Sequence, residues 1–318
     1  MLEIFKVVIS QTVTLFIFIS LGYWLKKSGK VTANFSKGLS VSLVNVIGPM
    51  LTIRTFANNF KVEALADNAK LLGVSLIVLI ICVAIGFPLA WFFSRKNGAL
   101  DRNKFDVYTY SMTITNIGYF GYPLIEALFG EKMLANFMVF CIPFNMFIYT
   151  FGIYILNPNK VFSLKKLLNI PMLAMVVGMV LGLIDVKFPV VIKNVLASGG
   201  DCQAPVAMLL TGVVFATNNL KEMVVAGKVY FAYFLKLIVI PLIAIFILTA
   251  LKLPMELSLC TFVLIILPAG LNSIVFPEAF GGDSRTGAQI CFVSTIMCVI
   301  TIPIMLTLFS HLSGIPIG

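Results

Sequence analysis

The chain has 318 residues, of which 60% are hydrophobic and only 11% charged, and its mean hydropathy is +1.04. These values lie far outside the range of soluble domains and define an integral membrane protein. The formal charge of +10 does not point to nucleic acid, because the lysines and arginines cluster in short loops between apolar runs, as membrane topology requires.

A helical crossing takes roughly 20 mostly apolar residues, and such runs recur along the sequence with only short polar breaks. Stretches such as LLGVSLIVLIICVAIGFPLAWFF (71–93) do not alternate, which excludes a transmembrane barrel. The expected fold is an all-α polytopic membrane protein with ten transmembrane helices: Phe5–Leu25, Gly38–Phe56, Leu71–Phe93, Phe105–Phe129, Met133–Leu156, Leu168–Ile184, Ala197–Thr217, Val229–Leu251, Leu257–Phe280 and Gln289–Phe309. The first run, Val7 to Leu25, is long and lacks a small-residue cleavage site, so it reads as a retained span. The sixth is short, and FPVVIKNVLASGG after it reads as an amphipathic helix lying at the membrane surface.

Loops after odd-numbered spans carry fourteen lysines and arginines and those on the opposite side seven, so the positive-inside rule places both termini outside the cytoplasm. Arg54 and Lys236 lie within spans or at their ends; a snorkelling side chain is the ordinary reading for both, against attraction of an anion for Arg54 and an internal partner for the deeper Lys236. The six cysteines have no CxxC pair and read as buried apolar thiols. With His311 as the single histidine, histidine-based metal or acid–base chemistry has little to draw on, and no cofactor is expected.

A five-and-five division makes the fourth and ninth spans equivalent, and these two carry central helix breakers: TNIGYFGYPLIEALFG and LPAGLNSIVFPEAFGG. The second and seventh spans also correspond, IGPMLTIRTFANNFK with QAPVAMLLTGVVFATNNLK, each with an early proline and a closing Asn-Asn-x-Lys. The expectation is therefore two repeats, residues 1–156 and 157–318, inverted because each holds an odd number of spans.

Unsatisfied backbone groups in hydrocarbon cost several kcal/mol each, so a helix is interrupted at mid-membrane only where they meet protein or a watery cavity. Gly118 and Gly121 permit close backbone approach, Pro123 pre-sets a second half-helix, and Asn116 offers an amide. Pro268, Gly270, Asn272, Ser273 and Pro277 supply the same vocabulary in the ninth span. Two half-helix N-termini, each carrying about +0.5 of a charge, would then face one midplane site suited to a carboxylate. A simple kink is the alternative for either helix alone.

These residues resemble a known family. NIGYFGYPL matches the N-x-G-x-x-G-x-P-L signature of the auxin efflux carrier family, whose bacterial members include malate and malonate permeases and whose plant members export auxin. LVNVIGPMLTI, FNMFIYTFG, NIPMLAMVVGMVLGL, FPVVIKNVLASGGDCQAPVAMLLTG, LPAGLNSIVFPEAFGGD and STIMCVITIPI extend the likeness over nearly the whole chain. The resemblance implies a scaffold of spans 1, 2, 6 and 7, a transport unit of spans 3–5 and 8–10, broken fourth and ninth helices crossing at the substrate site, and carriage of organic anions by elevator-like movement. The third span lacks the acidic residue that plant members have there.

The expected substrate-binding residues are Asn116, Gly118, Tyr119, Gly121, Pro123, Asn145, Pro268, Gly270, Asn272 and Ser273. Asn145 and Asn45 are open to a packing reading as well. Ser294 and Thr295 either line the crossing or bond their own helix. Glu126 and Glu278 follow the two breaks, as coupling carboxylates or as solvated ones. Gly178 and Gly182 form a GxxxG for close packing within the chain or at a homodimer contact through scaffold helices. The expected partners are a small organic anion and the lipid bilayer, with no nucleic acid. Against a secondary carrier stand a channel or transport-dead sensor on the same fold, and a membrane-embedded enzyme built on the GGD aspartates Asp201 and Asp283, which read better as turn residues.

Overall fold

The structure is a computed structural model that describes residues 2–32, 34–96, 98–160, 162–224 and 227–315. In chain order come α1 (Leu2–Lys27), α2 (Phe35–Asn59), α3 (Val62–Phe93), a ribbon of β1 (Arg95–Lys96) and β2 (Ala99–Leu100), α4 (Arg102–Thr113), α5 (Ile117–Phe140) and α6 (Ile142–Leu156). They are followed by α7 (Ile170–Leu183), α8 (Val190–Thr217), α9 (Leu220–Val224), α10 (Gly227–Leu251), α11 (Met255–Ile266), α12 (Asn272–Phe280) and α13 (Ser284–Ser313).

Among the described residues six helices, α1, α2, α3, α8, α10 and α13, are long and apolar enough to cross a membrane, or seven if the bent pair α5 and α6 counts as one. The apolar α7 and α11 are shorter than a crossing. The protein is thus an all-α, multi-pass membrane protein.

Proline explains much of the local irregularity. Leu43–Ile47, Ile117–Gly121 and Leu235–Val239 each widen into a π turn, and each ends two residues before a proline: Pro49, Pro123 and Pro241. Proline lacks an N–H, and its ring displaces the carbonyl four residues back, so the helix takes in one extra residue.

Within α5 the chain reverses at Gly130, whose φ of 77° suits glycine. The reversal is visible in the packing, because the rings of Tyr122 and Phe137 lie 6.1 Å apart edge to face, a distance impossible along one straight helix. The expected division between the fourth and fifth spans falls at this turn.

Two close helix pairs form around small residues, as membrane packing favours. α1 packs on α8, where Gly22 meets the Leu209 backbone and Gly212 meets that of Ile19 and Tyr23. α7 packs on α2, where a Cβ at Gly178 or Gly182 would press on Ile53, Phe56 and Phe60. The GxxxG therefore serves packing inside the chain. The segment after α7 is helical from Val190, as expected, but it does not end before the next helix. It joins the next helix as one 28-residue run, α8, in which Gly200 lets the helix approach Leu51 and Arg54. Of the cysteines, Cys141, Cys260, Cys291 and Cys298 are buried, but Cys82 is only partly buried and Cys202 is exposed.

Candidate functional site

The two helix interruptions meet. α4 stops at Thr113 and α5 starts at Ile117, while α11 stops at Ile266 and α12 starts at Asn272. Between them Thr115 and Ala269 form an antiparallel bridge, and the Asn116 N–H donates to the Pro268 carbonyl at 2.8 Å. Backbone groups freed in hydrocarbon must find partners, and most are traceable. The Asn116 carbonyl accepts from Phe120 and Gly121 at 3.3 and 2.9 Å. The Ala269 N–H donates to Ser294 Oγ at 3.1 Å, and its carbonyl accepts from the Cys291 thiol at 3.4 Å, both from α13. At the end of α4, the Ser111 carbonyl accepts from Lys236 Nζ at 2.6 Å and from the Tyr233 hydroxyl at 3.1 Å, and the Met112 carbonyl accepts from Lys236 at 2.9 Å.

Beside this junction lies a cavity of about 250 Å³. Of the expected site residues, Asn116, Gly118, Tyr119, Asn145, Gly270 and Asn272 line it. Gly121, Pro123, Pro268 and Ser273 do not line it, and each has a place in the junction. A Cβ at Gly121 would sit 2.7 Å from Leu267 Cδ1. Pro123 lies in the first turn after the π segment. Pro268 accepts the Asn116 N–H, and Ser273 Oγ donates to the Gly270 carbonyl at 2.7 Å.

The N-terminal turns of α5 and α12 both face the cavity through Gly118, Tyr119 and Asn272, and the first N–H groups of a helix have no partner within it. Among the described residues, none that lines the cavity carries a charge. The local positive potential comes from helix ends and side-chain amides, which favour an anion without fixing its shape.

Sequence reasoning missed the opposite wall. Gln203 on α8 is 6% exposed; its Nε2 donates to the Gly118 carbonyl at 3.4 Å, and its Oε1 is buried without a partner among the described residues. Ser40, Thr52, Tyr122 and Tyr149 also line the cavity, and Tyr122 accepts a 3.3 Å hydrogen bond from Asn145 Nδ2. Gln203 stands two residues before the proline of QAPVAMLLTGVVFATNNLK, the stretch that corresponds in sequence to IGPMLTIRTFANNFK, which is the one signal that could have found it. Asn45 is exposed and does not line the cavity, whereas Leu43 and Val44 of the same π turn do.

Arg54 does not snorkel alone. Its guanidinium lies 2.5 Å from Glu126, 2.6 Å from Asp201 and 3.5 Å from Glu131, and also donates to the Ala197 carbonyl at 3.2 Å. One cation thus ties α2, α8 and the turn of α5. The side chain of Glu278 lies outside the described residues. Arg54→Gln leaves three facing carboxylates, and because Glu126 and Asp201 are 28% and 69% exposed, solvent screening holds the expected loss to about 2 kcal/mol. Thermal melting in detergent measures it, and Glu126→Gln added to Arg54→Gln should recover part of the loss. Nearby, Lys61 donates to Asp185 at 2.5 Å and holds its carboxyl below the usual range. Asp283 accepts from the Thr286 N–H and hydroxyl at 2.9 and 2.6 Å as the cap of α13, so each GGD aspartate has a structural role.

A polytopic helical protein with two interrupted helices bonded at their breaks beside an uncharged, largely apolar cavity that holds a few amides and hydroxyls is laid out as a membrane transporter rather than an enzyme. The chain belongs to the membrane transport protein family, which matches residues 7–306 and is the auxin efflux carrier family whose signature Asn116–Leu124 carries. It is 24% identical over 254 residues to the uncharacterized transporter YfdV of Escherichia coli (strain K12), covering 76% of this chain and 79% of the relative. The proteins of the same name from Escherichia coli O157:H7 and Shigella flexneri match with the same figures.

Proposed function

We propose that the protein is a secondary carrier that moves a small organic anion, a carboxylate such as malate, across the cell membrane by elevator-type alternating access. The observation that carries this reading is the Thr115–Ala269 bridge, which brings two half-helix N-termini to one uncharged cavity. A carboxylate there gains from both helix ends and from the amides of Asn116, Asn272 and Gln203.

The reading includes ten crossings in two inverted repeats, with helices 1, 2, 6 and 7 as scaffold and 3–5 and 8–10 as the moving unit. Counted in spans, the two glycine-mediated pairs are 1 with 7 and 2 with 6, and these exchange under an inverted repeat, which supports it. The short α7 and α11 fit spans that are thin or interrupted. Loop charge supports termini outside the cytoplasm, which places the Arg54 cluster on the extracytoplasmic face. A homodimer through scaffold helices belongs to the same reading.

The test is uptake into proteoliposomes of a panel of mono- and dicarboxylates under imposed pH, sodium and voltage gradients. Saturable uptake of at least one, at a carrier's slow turnover, is expected. No flux of any carboxylate, or flux at the rate of a pore, would sink the reading.

A further inference from the structure

Lys236 is the one charged side chain among the buried polar groups of the described residues, at 5% exposed. It sits near the middle of α10 in the π turn before Pro241, at a depth where an uncompensated charge is costly. Its hydrogen-bond partners are the Ser111 and Met112 carbonyls, at 2.6 and 2.9 Å. These close the last turn of α4, where aligned peptide dipoles amount to about half a negative charge. In carriers with broken helices such carbonyl ends are places for a coupling cation. Here the ammonium of the chain itself occupies the place.

We infer that Lys236 is a built-in counter-ion of the transport unit: a fixed positive charge that travels with the crossing, so that the return of the empty carrier is the step in which this charge moves through the membrane field uncompensated by substrate. The inference rests on the moving-unit reading above and adds to it an electrical role for a residue that does not line the anion cavity. Lys236 acts through the end of α4 and is a positioning residue.

The experiment compares two fluxes of labelled malate in the same proteoliposomes, with potassium and valinomycin setting the potential. Net uptake into empty vesicles over many turnovers requires the empty return, whereas exchange with internal malate does not. Exchange much faster than net uptake shows that the empty return is limiting, and the ratio of net uptake under the potential to net uptake without it then reads that step whatever the valence of the substrate and whichever way the protein is inserted. A unit charge crossing half of the field at 100 mV slows that return by about two- to threefold, so the ratio should fall by that factor when the inside is negative. Lys236→Gln should make the ratio indifferent to voltage, and Lys236→Arg should keep its dependence.

A wild-type ratio that ignores voltage overturns the inference, and so does a voltage-dependent ratio in Lys236→Gln. If Lys236→Gln fails to fold, an indifferent wild-type ratio still overturns the inference, and Lys236→Met takes the place of Lys236→Gln in the comparison. Absence of any carboxylate flux from the wild type removes the carrier reading and this inference together, whereas flux with an indifferent ratio removes only the inference.

Discussion

Gly212→Ala is expected to leave little folded protein. A Cβ at this position would overlap the Ile19 carbonyl oxygen and lie 2.7 Å from the Tyr23 nitrogen. Both are backbone atoms of α1, so no rotamer change relieves the overlap and the two helices must part. Gly22 makes the reciprocal approach to Leu209, so separation at one point loosens the whole contact. Overpacking of this kind costs about 3 kcal/mol or more, a large share of the margin by which proteins stay folded. Gly73→Ala in α3 is the matched control, because nothing lies within 4 Å of its Cβ. There the change should be neutral or stabilise by about 0.5–1 kcal/mol through helix propensity. Fluorescence-detected size-exclusion chromatography after heating separates the two, and equal melting temperatures would remove the close-approach argument.

Asn116→Ala should produce the largest functional loss with a folded protein. The Asn116 backbone closes the crossing through the 2.8 Å bond to Pro268 and its bonds from Phe120 and Gly121, and alanine retains all of these. What disappears is the side-chain amide, 3% exposed and lining the cavity. If the amide holds the anion, removing it leaves a desolvated charge one donor short, which costs about 1.5–3 kcal/mol, or roughly ten- to a hundredfold in affinity. Asn272→Ala tests the facing half in the same way. Carboxylate uptake by proteoliposomes of each variant, set beside its melting temperature, measures the effect. Full transport in both would show that the two amides are not the binding groups.

The helix interruptions are legible in the residues themselves, because proline, glycine and asparagine act on their own turn of helix. TNIGYFGYPL and LPAGLNSIVFPEAFGG break where those residues stand, and six of the ten expected site residues line the cavity. The other four stand at the break but outside the cavity lining. Gly121, Pro123, Pro268 and Ser273 shape and hold the junction, and residue type alone does not distinguish a group that makes a cavity from one that faces it. Span counting fared differently. A hydropathy reading adds the two halves of a broken helix together, whereas the folded chain presents them as short pieces such as α11, with 12 residues.

Composition and periodicity by themselves determined that the chain lives in a membrane, that it is helical, and that the runs holding TNIGYFGYPL and LPAGLNSIVFPEAFGG are interrupted. These follow from local hydrophobicity and local backbone preference. Tertiary structure alone decided which distant groups meet. Gln203 reaches Gly118 across 85 residues, Lys236 reaches Ser111 across 125, and Arg54 reaches Asp201 across 147. No local preference encodes such pairs. They arise because glycine contacts set how closely the helices pack, and because a buried charge or amide takes the partner that packing brings within reach.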